Sequence, residues 1–140
     1  MIVIACVDNN MGMLFNQRRQ SQDKVLREKI LQRCEGHKLW MNAYSYKQFE
    51  EQVANKDITI CVAEDFLTRA EAEDYCFIEN ADVANCSDKI EQIILFFWNR
   101  DYPADLYFTV PVNSKPWRLV SREDFCGSSH KKITEEVYNR

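Results

Sequence analysis

The sequence is poor in glycine, proline and histidine, and it lacks the motifs of several large enzyme classes. Three glycines and three prolines in 140 residues leave no linker, repeat or low-complexity segment. G-x-S-x-G, P-loop and G-x-G-x-x-G motifs are absent, so none of the activities that they mark is indicated. His37 and His130 are the only histidines and belong to no H-E-x-x-H or Cys/His cluster, so no metal site is predicted.

Long apolar runs are also missing. No run approaches the ~20 residues that a membrane span requires, and the apolar start of the chain is too short, and lacks the basic residues, for a signal peptide. None of the six cysteines belongs to a C-x-x-C pair. We therefore expect reduced structural thiols in a cytoplasmic protein without a membrane partner. A redox role for Cys86 or Cys126 is the alternative.

Charge and hydropathy indicate one globular domain over residues 1–140. Hydrophobic residues make up 46% and aromatic residues 12% of the chain, which allows a sizeable core. The net charge is −4, and no block of like charge stands out. Basic residues are not interleaved with aromatic residues as in single-strand binders, so a nucleic-acid partner is not expected.

Apolar patterns of strand and helix type alternate over the first hundred residues. Predicted strands cover residues 2–7, 39–41, 58–62, 75–78, 106–112, 117–121 and 132–138, and predicted helices cover residues 22–33, 45–54, a short segment from residue 68, and 88–100. The last helix is inferred from apolar residues on one side, namely Ile90, Ile93, Ile94, Phe97 and Trp98. The alternation predicts an α/β fold with a mixed sheet, parallel first and antiparallel at the C-terminus.

Two capping-box patterns mark helix starts. Ser45 as N-cap with Gln48 three residues later predicts a helix that continues to about residue 54. Thr68 with Glu71 predicts a second, short helix.

The stretch from Met1 to Lys29 contains the first candidate site. The apolar strand Ile2–Val7 is broken by Asp8-Asn9-Asn10-Met11-Gly12, and a polar loop leads to a helix near Ser21 with Asp23 in its first turn. A buried strand, a glycine-bearing loop and an acid at a helix start together predict the wall of a site.

Several local patterns resemble those of the dihydrofolate reductase family. Residues 8–13 are similar to its "D-x-N-x-x-I-G" turn, and residues 20–25 stand where the family has "L-P-x-D-L". The segments 39–46, 75–80 and 105–110 resemble "V-I-M-G-R-x-T-[YW]", "V-F-V-I-G-G" and "D-x-L-Y-L-T-x-I". Residues 117–140 resemble the closing hairpin. The resemblance implies a three-layer fold, with a central mostly parallel sheet, helices on both faces and a C-terminal antiparallel hairpin.

The resemblance also implies a cofactor half, where this chain departs from the family. Asn42 and Ala43 stand where the family has a glycine and an arginine, near Ser45, and Glu79-Asn80 replace a glycine pair. A carboxylate there repels a polyphosphate, and side chains fill the space that the backbone leaves free. These positions match the family's NADPH site but are predicted to be degenerate, so no cofactor is expected.

Three residues are candidates for contact with a substrate. The resemblance places Asp23 at the buried acid that holds a pterin, as a catalytic and binding residue, whereas a first-turn acid is also common because of the helix dipole. Thr109, on the predicted 106–112 strand, is expected to reach the same ligand from a neighbouring strand, or else to face solvent. Cys6 lies at the end of the first strand. Arg18 and Arg19 are either a solvated loop or a contact for an anionic ligand.

Three hypotheses about function follow. The first is a diverged dihydrofolate-reductase-like protein that binds a pterin-like or other heterocycle without ordinary NADPH-dependent reduction. The second is an active NADPH-dependent reductase with unusual cofactor contacts. The third is a non-enzymatic interaction protein, such as a homodimer. The sequence leaves open whether the protein is an enzyme.

Overall fold

The computed structural model describes residues 1–54 and 56–140, which form a seven-stranded sheet and a small three-stranded sheet. The strands are β1 (Ile2–Val7), β2 (Gly12–Phe15), β3 (Arg18–Arg19), β4 (Lys38–Met41), β5 (Thr59–Val62), β6 (Tyr75–Ile78), β7 (Gln92–Phe97), β8 (Leu106–Tyr107), β9 (Arg118–Phe125) and β10 (Ile133–Asn139). The helices are α1 (Lys24–Arg33), α2 (Ala43–Tyr46) and α3 (Phe66–Arg69), with a 3₁₀ segment at Ala84–Lys89.

The large sheet has the strand order β5-β4-β6-β1-β7-β10-β9. The five strands from β5 to β7 are parallel to their neighbours. β10 runs antiparallel to β7 and to β9, which places an antiparallel hairpin at the C-terminal edge. The predicted mixed, mostly parallel sheet is therefore confirmed. The small sheet has the order β3-β2-β8 and extends from the end of β1.

The central strand β1 is covered on both faces. Val3 is fully buried in the core that also contains Phe66 of α3, whereas its neighbour Ile4 is fully buried in the core that contains Leu26 and Ile30 of α1. Successive side chains of a strand point to opposite faces of the sheet. The two helices thus lie on opposite faces, as predicted for an α/β fold.

The predicted helix at 88–100 is wrong. Residues 92–97 form β7, which pairs in parallel with β1 and antiparallel with β10. Ile93, Ile94, Leu95 and Phe96 are all fully buried, because β7 is covered on both faces. A strand of this kind has no alternating pattern, so periodicity does not separate it from a buried helix.

The capping boxes are also not formed as predicted. The N-cap of α2 is Asn42, whose side chain accepts a hydrogen bond of 3.0 Å from the Ser45 backbone N–H, and Ser45 is buried inside the helix. α2 ends at Tyr46, and turns follow it. Thr68 lies inside α3. Asp23 is the N-cap of α1 itself, since a short acceptor side chain before a helix satisfies N–H groups that have no helical partner.

The predicted strand at 106–112 is reduced to Leu106–Tyr107 and belongs to the small sheet, where it pairs with β2. β6 and β7 are the two neighbours of β1. The segment 105–110, which matches the family motif in its letters, therefore does not lie beside β1. The last two predicted strands are confirmed with shifted ends, as β9 and β10.

None of the helices within residues 1–54 and 56–140 has the length and hydropathy to cross a membrane.

The buried position of β7 predicts a large difference in stability between two alanine substitutions that remove side chains of equal size. Ile94→Ala removes a side chain that is 0% exposed and should lower the free energy of unfolding by about 2–5 kcal/mol, whereas Leu119→Ala, at a residue 48% exposed on β9, should change it by less than about 1 kcal/mol. Urea denaturation of both variants measures the difference. Equal losses would contradict the placement of residues 92–97 in the sheet centre.

Candidate functional site

A buried carboxylate, Asp8, joins three segments at the end of β1. Its Oδ1 accepts hydrogen bonds of 2.8 Å from the backbone N–H groups of Asn10 and Gly12. Its Oδ2 accepts a bond of 3.1 Å from the Gln20 side-chain amide and one of 3.2 Å from the Tyr102 backbone N–H. Asp8 is 0% exposed. The loop before α1 and the loop after β7 are thus fixed to the same carboxylate.

These two loops border a cleft of about 560 Å³, lined by Phe15, Asn16, residues 18–20, Tyr102 and Pro103. Phe15 is 41% exposed, and Arg18 is exposed as well. The Gln20 side-chain oxygen is buried and has no hydrogen-bond partner among the described residues. A polar atom of this kind is costly to bury unless something pairs with it. The cleft therefore combines aromatic surface with two guanidinium groups, and one of its lining residues holds a buried oxygen without a partner among the described residues.

The positions that match the family's cofactor site form a polar network. Glu79, at the end of β6, is 8% exposed and binds Arg19 through two bonds of 2.9 and 3.1 Å. Its Oε1 also accepts a bond of 2.9 Å from the Ser45 hydroxyl. The Asn42 amide donates to the Asn80 side-chain oxygen at 2.7 Å. Side chains thus pair with one another at the carboxyl ends of β4 and β6.

Two further residues border this network. The Ala43 backbone N–H donates to the Glu64 carboxylate at 3.1 Å. Cys6, near the end of β1, is half-buried, and burial, with the negative charge of Glu79 in addition, raises the pKa of its thiol well above the usual range. The Cys6 side chain is therefore a neutral thiol and not a nucleophilic thiolate.

Asp23 is 2% exposed and its carboxylate is surrounded by donors from the protein. Oδ1 accepts bonds from the backbone N–H groups of Leu26 at 3.0 Å and Ser128 at 3.1 Å, and Oδ2 accepts from Ser129 N–H at 2.8 Å. Burial alone would raise the pKa of Asp23, but the bonds from Ser129, Ser128 and Leu26 prevail and hold its pKa far below the usual range. The loop between β9 and β10 thus covers the candidate acid.

The loop approaches Asp23 closely because residue 127 is glycine. A Cβ at Gly127 would collide with the Asp23 carboxylate and with Ile133. The Gly127 N–H donates to the His130 carbonyl at 2.8 Å, which closes the turn. Asp23 is therefore engaged by a turn that only a residue without a side chain permits at this point.

Thr109 lies in a different place from the one expected. It is exposed, is not part of a strand, and its hydroxyl is 3.4 Å from the Asp82 carboxylate. No hydrogen bond among the described residues joins it to Asp23 or Cys6. The expectation that Thr109 lies on a strand beside β1 is wrong, since β6 and β7 occupy both positions. Contact of Asp23, Thr109 or Cys6 with a substrate stays a prediction.

His130 and Ser21 were not singled out by the sequence, yet they lie beside Asp23. His130 is 7% exposed. Its Nδ1 is 3.3 Å from Asp23 Oδ2, and its Nε2 is 3.0 Å from the Ser21 hydroxyl. The ring lies against Trp98, with centroids 4.6 Å apart. Because Ser21 and His130 are 109 positions apart in the chain, no local motif signals their proximity.

Groups of three or more His, Cys, Asp or Glu side chains that could hold a metal ion do not occur in the part of the chain that the structure describes.

Comparisons with known proteins identify the fold and no family. No protein-family model matches the sequence, and no curated protein matches it. Among solved structures, the chain is similar to a dihydrofolate reductase from Enterococcus faecalis complexed with NADP(H) and RAB-propyl, with a TM-score of 0.67 over 99% of this chain and 95% of that chain, at 9% sequence identity. The fold is dihydrofolate-reductase-like. This finding confirms the fold that the local sequence patterns implied.

The bonds to Asp23 predict a specific dependence of stability on pH. Since the folded-state pKa of Asp23 lies below its value of about 3.9 in the unfolded chain, its stabilising contribution is present above that value and lost as pH falls toward the folded-state pKa. Urea denaturation between pH 7 and pH 2.5 should show a steeper acid loss for the unmodified chain than for Asp23→Asn. Parallel curves would contradict the assignment.

The close approach of Ala104 and Gln20 to Gly12, beside Asp8, predicts that a larger residue at position 12 lowers stability. A Cβ at Gly12 would lie 2.6 Å from the Ala104 Cβ and 2.8 Å from the Gln20 amide nitrogen, so Gly12→Ala should cost about 1–3 kcal/mol of unfolding free energy. Ala104→Gly in the same chain should recover part of this loss, whereas Ala104→Gly alone should not stabilise. Chemical denaturation of the three variants measures the coupling, and the absence of recovery would be evidence against the contact.

Proposed function

We propose that this dihydrofolate-reductase-like protein binds a flat, anionic small molecule in the cleft between Phe15 and Pro103, without ordinary NADPH-dependent reduction. The observation that carries the proposal is the lining of the cleft, where Arg18 and Arg19 lie with the aromatic residues Phe15 and Tyr102. Pterin-like heterocycles that bear a carboxylate are the first class of ligand to test.

The charges in the cleft support an anionic ligand. Arg19 is already bound to Glu79 through two nitrogens, so much of its charge is balanced inside the protein. Arg18 is exposed at the same cleft. A guanidinium group forms two parallel hydrogen bonds with a carboxylate, which gives it geometric as well as electrostatic preference for that group. Arg18 is thus the proposed contact for the anion.

The aromatic residues support a flat ligand. Phe15 is 41% exposed, so its ring is accessible to a ligand in the cleft. Tyr102 also lines the cleft, and its backbone N–H is fixed by Asp8 at 3.2 Å. Aromatic faces stack favourably on planar rings.

The network at Glu79 supports the loss of ordinary NADPH binding. The carboxylate of Glu79 is nearly buried between Arg19 and Ser45, and the Asn42–Asn80 pair fills the neighbouring strand ends. A polyphosphate at this point would meet a negative charge and side chains in place of open backbone N–H groups. We therefore infer that Asn42, Ala43, Ser45, Glu79 and Asn80 form a degenerate cofactor site.

The hydrogen bonds that already surround the Asp23 carboxylate favour ligand binding in the cleft and not at Asp23. A pterin at Asp23 would have to displace bonds from Ser128, Ser129 and His130. Each lost bond to a charged group costs about 1.5–3 kcal/mol. Binding of a ligand between β1, α1 and Thr109, as the sequence predicts, therefore requires movement of the loop between β9 and β10.

The second candidate function is an NADPH-dependent reductase with other cofactor contacts. It is favoured by the similar fold of a reductase that was solved with NADP(H). It requires the Arg19–Glu79 pair to open. An interaction protein or homodimer is supported less, because Leu119 and Val120, exposed by 48% and 45% on the edge strand β9, are neighbours and point to opposite faces.

Thermal-shift titration with folate, dihydrofolate and, separately, NADPH tests the proposed function. A ligand at about 100 times its dissociation constant stabilises the folded state by ~2.7 kcal/mol, which is readily measured. We expect a rise in melting temperature with folate or dihydrofolate and none with NADPH. Arg18→Glu should abolish the rise, because it reverses the charge at the cleft.

The matched control is Arg118→Glu, which reverses the charge of another exposed arginine, on β9, and should leave the rise unchanged. Stabilisation by NADPH equal to that by dihydrofolate would favour the reductase. No response to the folates would exclude this ligand class, and equal loss in both variants would show that the effect is one of net charge.

A further inference from the structure

Three side chains outside the proposed ligand contacts form a continuous hydrogen-bonded line. Asp23 Oδ2 lies 3.3 Å from His130 Nδ1, and His130 Nε2 lies 3.0 Å from the Ser21 hydroxyl. Asp23 and His130 are buried, whereas Ser21 is only half-buried. An acid, an imidazole and a hydroxyl in this order are the arrangement that activates a serine nucleophile on many unrelated folds.

The surroundings of His130 favour one arrangement of the protons in this line. The pKa of Asp23 is held low, so its carboxylate accepts hydrogen bonds and has no proton to donate. When the ring carries its single proton on Nδ1, that proton faces the Asp23 carboxylate at 3.3 Å and the Ser129 hydroxyl at 3.1 Å, and Nε2 is the acceptor for the Ser21 hydroxyl. Trp98, with its ring centroid 4.6 Å from that of His130, holds the imidazole in place.

The hydroxyl end of the line is connected to two residues that line the cleft. Ser21 directly follows Gln20, and Gln20 and Tyr102 both line the cleft. The Tyr102 hydroxyl is 3.4 Å from the same Nε2 atom that Ser21 approaches at 3.0 Å. Since a neutral Nε2 has one lone pair, Ser21 is the better donor to it, and the Tyr102 proton is available to another acceptor.

We propose that Ser21, His130 and Asp23 form a nucleophilic site that transfers an acyl group from a small ester to water. Ser21 supplies the nucleophile, His130 the general base, and Asp23 orients the imidazole. This inference goes beyond the proposed ligand, because it requires only that an ester carbonyl reach Ser21 from the cleft.

The step balances without a cofactor. The Ser21 oxygen forms a bond to the carbonyl carbon as its proton passes to His130 Nε2, and the bond from that carbon to the alcohol oxygen breaks as the alcohol takes the proton. Water then attacks the acyl-serine, giving its proton to Nε2, and the Ser21 oxygen leaves with that proton. The products are an alcohol and a carboxylic acid. The Tyr102 hydroxyl donates to the oxyanion in both steps.

The absence of a G-x-S-x-G motif does not weigh against this site. That motif belongs to one fold, in which it places the serine on a sharp turn. Here Ser21 is placed by the segment between β3 and α1, and His130 by the turn at Gly127. Such sites are recognised by geometry and not by position in the sequence.

Covalent labelling of the full chain with a fluorophosphonate probe tests the proposal. Trypsin releases residues 20–24, Gln-Ser-Gln-Asp-Lys, in which Ser21 is the only hydroxyl residue, so mass spectrometry locates the label without ambiguity. We expect the label on this peptide, its loss in Ser21→Ala, and a rate about 100-fold lower in His130→Gln, as is typical for removal of a general base. Hydrolysis of p-nitrophenyl acetate should fall in the same two variants.

The matched control is Ser114→Ala, which removes a hydroxyl whose one hydrogen bond among the described residues is to the Pro111 carbonyl at 3.1 Å and should leave labelling unchanged. Absence of label on residues 20–24 of the unmodified chain would overturn the proposal, and this result needs no variant. An undiminished labelling rate in a folded His130→Gln chain would also overturn it. If circular dichroism shows that His130→Gln does not fold, the proposal is tested by the position of the label in the unmodified chain and by the rate of ester hydrolysis in Ser21→Ala.

Discussion

The buried carboxylate of Asp8 is the interaction on which the geometry around the cleft depends. It receives four N–H donors, from Asn10, Gly12, Gln20 and Tyr102, although the last of these is 94 positions away in the chain. A buried charge is tolerated only when it is fully hydrogen-bonded. Because both carboxylate oxygens of Asp8 need hydrogen-bond donors, the start of the small sheet, the segment before α1 and the loop after β7 are held in fixed positions.

Three buried carboxylates at this end of the sheet are satisfied in three ways. Asp8 uses backbone and amide donors, Asp23 uses the turn after β9 together with the N-terminus of α1, and Glu79 uses Arg19 and Ser45. The first two arrangements leave neighbouring side chains free for chemistry, whereas the third occupies the ends of β4 and β6. This difference in hydrogen-bond partners explains why accessible guanidinium and aromatic groups lie in the cleft and not at the ends of β4 and β6.

The sequence predicted the parts of the fold whose patterns are local. β1 and β10 were located closely, and the family resemblance led to the correct fold. β7 was mistaken for a helix because burial on both faces removes the alternation that identifies a strand, and the motif at 105–110 matched in letters a segment that does not lie beside β1. In the site, the assignment of Glu79 and Asn42 to a degenerate cofactor site comes from the resemblance and stays a prediction. The pairing of Glu79 with Arg19, 60 positions away, and that of Ser21 with His130 arise only from tertiary structure.

The placement of β1 at the centre of the sheet has a consequence for folding during synthesis. Ile2 is paired with Tyr75 on one side and with Gln92 on the other, so β1 leaves the ribosome before its two partner strands and stays unpaired until β6 and β7 are made. Contacts between residues so far apart in sequence form slowly. During that delay, the apolar, uncharged segment Ile2–Val7 has both edges open, which is the condition under which nascent chains associate with one another or with chaperones.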